Sequence, residues 1–262
     1  MTELGGIFRD FFSREAEGDD GLELFGGLHI AVSAFFLILY AGVIIFRGSL
    51  REFGHFAIIR RTMAAVLFAN MLIHYVGRIV IGEWRLSEDL PLHICFVTNF
   101  LMMYVLATDN KRSLFAFVYY FTLIGPLPAA IFPDLSRTWG GYLFHQFIIS
   151  HHVMLLFSLY CAFVLEYKTS PRHAVCAFFL GNAYVAAVSV FNRIFGTNYI
   201  MLGELPEQLY RHFPILSKLP AIVWLEMAGI IALVVAYALW ITVSKRKRPP
   251  LRKRQAHNDQ II

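Results

Sequence analysis

"FHQFIISHHVMLLFSLYCAFVL" fills residues 144–165 without a single Asp, Glu, Lys or Arg. A helix rising about 1.5 Å per residue covers roughly 30 Å over such a run, the thickness of a bilayer's hydrocarbon core. Its polar side chains are unevenly placed: His145, Gln146, Ser150, His151 and His152 crowd the first half, and the second half is apolar packing surface. Runs of comparable length lie at about 28–46, 62–82, 90–108, 114–132, 173–195 and 219–243. Of the 262 residues, 58% are hydrophobic and 16% charged, and the mean hydropathy of +0.58 is well above that of a soluble domain.

The expected fold class is therefore all-α, a polytopic membrane protein built as a seven-transmembrane-helix bundle over 26–243. An N-terminal extracytoplasmic segment, 1–25, precedes it and a basic cytoplasmic tail, 244–262, comes after it. Pro126 and Pro128 interrupt the fourth run. Bends and unwound turns survive in lipid only where protein or a wet cavity satisfies the freed backbone groups. The acidic first twenty residues lack a basic region followed by a short apolar core, so no cleavable signal peptide is expected. Within them Ile7, Phe8, Phe11 and Phe12 form a helical stripe suited to an interfacial helix.

The net charge of +5 is distributed by loop. Arg47, Arg51, Arg60, Arg61, Lys111, Arg112, Lys168, Arg172 and the seven basic residues of 244–254 fall on one side of the bundle. Arg9, Arg14, Arg85, Arg137, Arg211 and Lys218 fall on the other. That split places the N-terminus outside and the C-terminus in the cytoplasm of a multi-pass cell-membrane protein. It reads as an anchoring pattern, and no nucleic-acid partner is expected. The three cysteines make no disulfide framework: Cys95 lies near the outer end of the third run, Cys161 and Cys176 near the inner ends of theirs.

Projecting each helix along its expected direction gathers the intramembrane polar groups in the outer half. Asn70, His74 and Arg78 form one stripe, and His93, Cys95, Thr98 and Asn99 open the third helix. His145 to His152 open the fifth, Asn182, Ser189, Asn192 and Arg193 close the sixth, and Glu226 sits two turns into the seventh. Such residues are costly in lipid and mark one pocket, whereas the apolar inner halves argue against a through-going ion path. Two arginines, Arg78 and Arg193, set against one carboxylate leave a surplus positive charge suited to a phosphate. A purely structural network of the same groups is the alternative. His145 and His152, seven apart on one face, lack a carboxylate or cysteine at ligand spacing, so neither a metal nor a cofactor is expected. Cys95 reads either as a packed small side chain or as a thiol activated by nearby imidazoles.

"LPLHIC" (90–95), "FHQFIISHH" (144–152), "NYIML" (198–202) and "LPAIVWLE" (219–226) resemble, in order and spacing, motifs of the YwaF-like bacterial membrane proteins. Those are relatives of the transmembrane-protein-164 acyltransferases. The resemblance covers residues 20–245 and implies transfer of a fatty acyl chain between phospholipids and lysolipids, with Cys95 as nucleophile and His151 as base. Where the bacterial pattern reads Ser-His-Gly this chain has His152 in third place, which leaves the choice between His151 and His152 open. Supporting or substrate-binding roles are expected among His152, His93, Asn99, His74, Arg78, His145, Asn192, Arg193 and Glu226, with Asn99 or Asn192 as oxyanion donors. The same site would serve a lipid ester hydrolase, and a non-enzymatic amphiphile receptor or transporter is the rival class.

Overall fold

The computed structural model describes residues 3–15, 18–108 and 112–244, and every regular element among them is helical. A short helix α1 (Glu3–Phe12) is followed by α2 (Gly27–Ile45), a connecting α3 (Arg47–Phe53) and α4 (Phe56–Val80). Then come α5 (Ile94–Thr108), α6 (Arg112–Ile124), α7 (Pro126–Ile131), α8 (Tyr142–Ile148) and α9 (Met154–Phe163). The last are α10 (Pro171–Phe195), α11 (Glu207–His212) and α12 (Ala221–Ser244). A π-helical turn, Ile149–Val153, joins α8 to α9. Each apolar run of the sequence falls on a helix. Six spans are long and apolar enough to cross a membrane, taking α6 with α7 and α8 through α9 as one each, and α5 is a shorter apolar helix. This is a multi-pass membrane protein. Lys111 and the basic tail beyond Ser244 lie outside the described residues.

The span from α8 through α9 is the pillar of the bundle. Of its membrane-length window 78% is buried, against 11–22% for α2, α4, α10 and α12. Met154, Phe157 and Cys161 of α9 pack with Met102, Val105 and Leu106 of α5 and with Phe115 and Tyr119 of α6. Lipid tails are as apolar as leucine, so close packing and polar fasteners hold such helices together. Tyr119 donates to the Ala236 carbonyl at 3.0 Å, and Arg60 donates to that of Leu106 at 3.1 Å. Arg51 caps the end of α9 through the Val164 carbonyl at 3.1 Å.

Two departures from regular helix shape the interior. The apolar run begins at Leu90, but α5 begins only at Ile94: Pro91 disfavours the helical region at Leu90 and cannot donate a backbone bond. With 15 residues, α5 is about 22 Å long, short of the roughly 30 Å core. Its recessed start meets the second departure, the break at Gly125 between α6 and α7, where a Cβ would overlap the Ile94 side chain. The glycine and the two prolines thus open a gap that the first turn of α5 fills.

The N-terminal segment is fastened to the same end by buried charge. Phe12 lies against Gly77, whose hydrogen leaves room for the ring. Arg137, fully buried, binds the Asp19 carboxylate at 3.0 Å and the Asp10 carbonyl at 2.8 Å. Arg78 binds Glu83 at 2.8 Å, and Arg14 binds Glu88 at 2.6 Å and Asp89 at 2.7 Å. So α1 docks through Phe11 and Phe12, and Leu4, Ile7 and Phe8 stay exposed. Burial penalises the Asp19 carboxylate, but hydrogen bonds from Thr138, Gly21 and Arg137 outweigh it and hold the carboxyl below its usual 3.8. At Glu83 burial is likewise outweighed, by Ser13, Arg78 and the Arg14 backbone, which hold that carboxyl below 4.5.

Both depressed values contribute stability that is complete above the unfolded pKa and lost as pH falls through the folded one. Amide exchange over residues 3–15 is expected to lose protection below about pH 4 while α9 keeps its own; unchanged protection of 3–15 in acid would contradict the clamp. Gly125→Ala is expected to cost about 1–3 kcal/mol by overpacking. Truncating Ile94 to Ala in the same chain is expected to restore part of the melting temperature, and strict additivity of the two changes would refute the contact.

Candidate active site

The start of α5, the α6–α7 break and the π turn come together: α5 and α7 both pack against Ile149–Val153. Their meeting point borders a cavity of about 860 Å³, completed by α10, α12 and the 198–216 connection. Its wall is mostly apolar, with Ile124, Phe132, Val185, Leu209, Trp224 and Leu233 among the lining side chains. The polar groups reaching it include His93, Cys95, His151, His74, Asn182 and Glu226. Cys95, in the first turn of α5, is a free thiol.

The π turn decides which histidine faces this space. An extra residue in one turn rotates the helix beyond it, and the backbone groups it displaces need partners. Side chains supply them. Asn70 donates to the Gln146 carbonyl at 3.2 Å, and Ser150 donates to that of Phe147 at 3.2 Å. Tyr40 donates to that of His152 at 3.1 Å. His151 Nδ1 lies 2.8 Å from the Phe147 carbonyl, and because a carbonyl only accepts, Nδ1 carries the proton. The lone pair is then on Nε2, which has no hydrogen-bond partner among the described residues. The ring stacks on Phe147 at 4.0 Å, which fixes its plane. His152 turns the other way, stacked on Phe36 at 4.6 Å and hydrogen-bonded to Tyr40 at 3.1 Å. Of the adjacent pair, only His151 lines the cavity.

A second histidine is held by the 196–202 connection. Asn192 accepts from the Tyr199 backbone at 3.0 Å and donates to the Tyr199 carbonyl at 2.9 Å. Tyr199 in turn donates to the Leu86 carbonyl at 2.5 Å and accepts from the Leu90 backbone at 3.0 Å. The turn so pinned carries Ile200 at φ 62°, a left-handed conformation rare for a β-branched residue and worth about 1–3 kcal/mol of strain. Its N–H points to His93 Nδ1 at 3.3 Å.

The remaining expected residues lie elsewhere. Asn99 is fully buried one turn beyond Cys95, with neither amide atom hydrogen-bonded among the described residues, and it does not reach the cavity wall. His145 binds the Trp139 carbonyl at 2.9 Å and borders a separate groove of about 420 Å³ beside α2. Arg193 is exposed. The expected surplus of positive charge is not what the structure holds. Arg78 is neutralised by Glu83 and by Asp89 at 3.5 Å, because the 81–93 connection folds back over α4. Glu226 meets Asn182 at 3.4 Å and no arginine among the described residues. Asp89, also 3.8 Å from His74, was unforeseeable as an ion-pair partner from local pattern, since the side chains it pairs with are 11 to 75 residues away. Ser150, Tyr40 and Tyr199 were present in the motifs or runs but carried no signal of what they bind.

The fold and site together define a polytopic membrane protein with a thiol and an imidazole in an interior amphiphile-sized cavity. A family model, the TMEM164 family, matches residues 24–253, and the chain belongs to that family. It is also similar to an uncharacterized protein of Treponema pallidum (strain Nichols), 29% identical over 199 residues, which cover 74% of this chain and 80% of that protein. No solved structure matches the chain.

The π turn's side-chain bonds yield a direct test. The Gln146 carbonyl accepts from Asn70 as well as from the Ile149 N–H, so Asn70→Leu removes one of two donors and is expected to cost about 0.5–1.5 kcal/mol, the net contribution of one hydrogen bond. Thermal unfolding in detergent checks this, and an unshifted melting temperature would contradict it.

Proposed function

We propose that the protein is a membrane-embedded cysteine/histidine acyltransferase that moves a fatty acyl chain from a phospholipid to a lysolipid. The observation that carries this reading is the shared cavity of Cys95 and His151, with His151 Nδ1 committed to the Phe147 carbonyl so that Nε2 is the basic nitrogen. In a wall this apolar a standing thiolate would have little solvation, so the proton leaves as the sulfur attacks.

The reaction balances through one proton and one acyl group. His151 Nε2 takes the Cys95 proton while sulfur bonds to the ester carbonyl carbon. The tetrahedral intermediate collapses by breaking the carbon–oxygen ester bond, and the departing lysolipid oxygen takes the proton back from Nε2. A thioester on Cys95 remains. A second lysolipid hydroxyl then gives its proton to Nε2 and attacks the thioester, and the thiol leaves reprotonated. With water as acceptor the same steps hydrolyse the lipid.

The volume and apolar wall of the cavity suit acyl chains, and the distribution of basic residues supports a seven-span bundle with its N-terminus outside, in the cell membrane. In that orientation the site would draw on the outer leaflet. The segment 1–25 would then rest on the outer interface, where the exposed Leu4, Ile7 and Phe8 of α1 meet lipid.

Purified protein in mixed micelles with a labelled phospholipid and an unlabelled lysolipid is expected to transfer label. Cys95→Ala is expected to abolish transfer and His151→Ala to reduce it about 10²–10⁴-fold, whereas His152→Phe keeps most activity. A wild type that transfers no label, or a Cys95→Ala as active as wild type, would contradict the reading. Label released as free acid without transfer would favour a hydrolase.

A further inference from the structure

We propose that His93 is the oxyanion-stabilising donor of the same site, presenting a neutral Nε2–H to the ester oxygen. The inference rests on the acyl-transfer reading. It comes from a contrast between two rings lining one cavity. At His151 an acceptor, the Phe147 carbonyl, holds Nδ1, which places the proton on Nδ1 and the lone pair on Nε2. At His93 a donor, the Ile200 N–H, holds Nδ1, which places the lone pair on Nδ1 and the proton on Nε2. The two rings are therefore set in opposite tautomers, one able only to accept at Nε2 and the other only to donate.

Position agrees with that division. His93 precedes Cys95 by two residues at the recessed start of α5, and both line the cavity with His151. His93 and His151 are near enough to interact electrostatically. Nε2 of His93 makes no hydrogen bond among the described residues, so the donor is left for something that enters the cavity. Holding it so requires Ile200 in a strained left-handed conformation, and the Asn192 and Tyr199 bonds supply that restraint. Of the two asparagines first expected as oxyanion donors, Asn192 is occupied by the Tyr199 backbone and Asn99 does not reach the cavity wall.

In the step itself no proton moves to or from His93. As sulfur bonds to carbon, the carbonyl π electrons shift to oxygen, and that oxygen accepts from Nε2–H until the ester carbon–oxygen bond breaks. A donor aimed at developing charge in a dry site contributes far more than it would in water.

Two rates on the full-length protein separate this role from a structural one. The first is single-turnover acylation of Cys95 from a phospholipid; the second is alkylation of Cys95 by iodoacetamide, a displacement that forms no oxyanion. Both are read by mass spectrometry on the Cys95 peptide. His93→Phe is expected to slow acylation about 10²–10³-fold and to leave alkylation within about twofold of wild type. His93→Gln, whose amide N–H reaches near the same point, is expected to recover about tenfold of that loss. Equal slowing of both rates by His93→Phe would make the role structural and overturn the proposal, as would acylation at the wild-type rate. A wild type that never acylates Cys95 overturns the acyl-transfer reading and this inference together. Undiminished acylation by His93→Phe overturns the inference alone.

Discussion

Inside a bilayer every backbone N–H and C=O must find a partner within the protein, and this constraint organises the molecule. Most of the described residues meet it with unbroken helix. Three departures among them, the recessed start of α5, the Gly125 break and the π turn at Ile149–Val153, adjoin one another around one cavity. Gly125 leaves room for the recessed start of α5 at Ile94, and side chains of α2 and α4 supply bonds to the span of the π turn. The polar side chains that satisfy the π turn, Asn70, Ser150, His151 and Tyr40, come from three helical spans. They tie the pillar of the bundle to its neighbours in the act of satisfying it.

The same bonds set the chemistry. A histidine in a regular helix is free to choose its tautomer, but His151 donates to a carbonyl four residues back and so offers Nε2 as a base. His93 is fixed in the opposite sense by a strained residue 107 positions away. The proposed acceptor and donor of one acyl-transfer step are thus assigned by backbone groups that the fold has to pair in any case. Membership of the TMEM164 family fits this arrangement, since the matched residues include every part of it.

Much of the architecture was legible because lipid imposes a coarse rule on composition. Seven apolar runs, the proline break in the fourth and the crowding of polar residues at one end all come from counting residues against membrane thickness. The start of α5 at Ile94 rather than Leu90 was less legible, since an apolar run and a helix need not share an end. The choice between His151 and His152 was legible only as what the family resemblance implies, and helix geometry left it open. Successive residues differ by about 100° on a helix, and the π turn resets that register with no mark in the sequence. Ion pairing was misread for a different reason. Arg78 and Glu226 lie at similar depth, but Glu83 and Asp89 are nearer to Arg78 through a connection whose path only the fold determines. The partnership of His93 with Ile200 was hidden likewise, because nothing local marks an isoleucine as left-handed.

The central claim is that Cys95 carries the acyl group. Its most direct measurement is peptide mass spectrometry of protein quenched shortly after mixing with a phospholipid and no acceptor. The account predicts a fatty acyl mass on the Cys95 peptide that is removed by hydroxylamine and discharged on adding lysolipid. An unmodified Cys95 peptide, or an acyl mass confined to the peptides of Cys161 or Cys176, would contradict it.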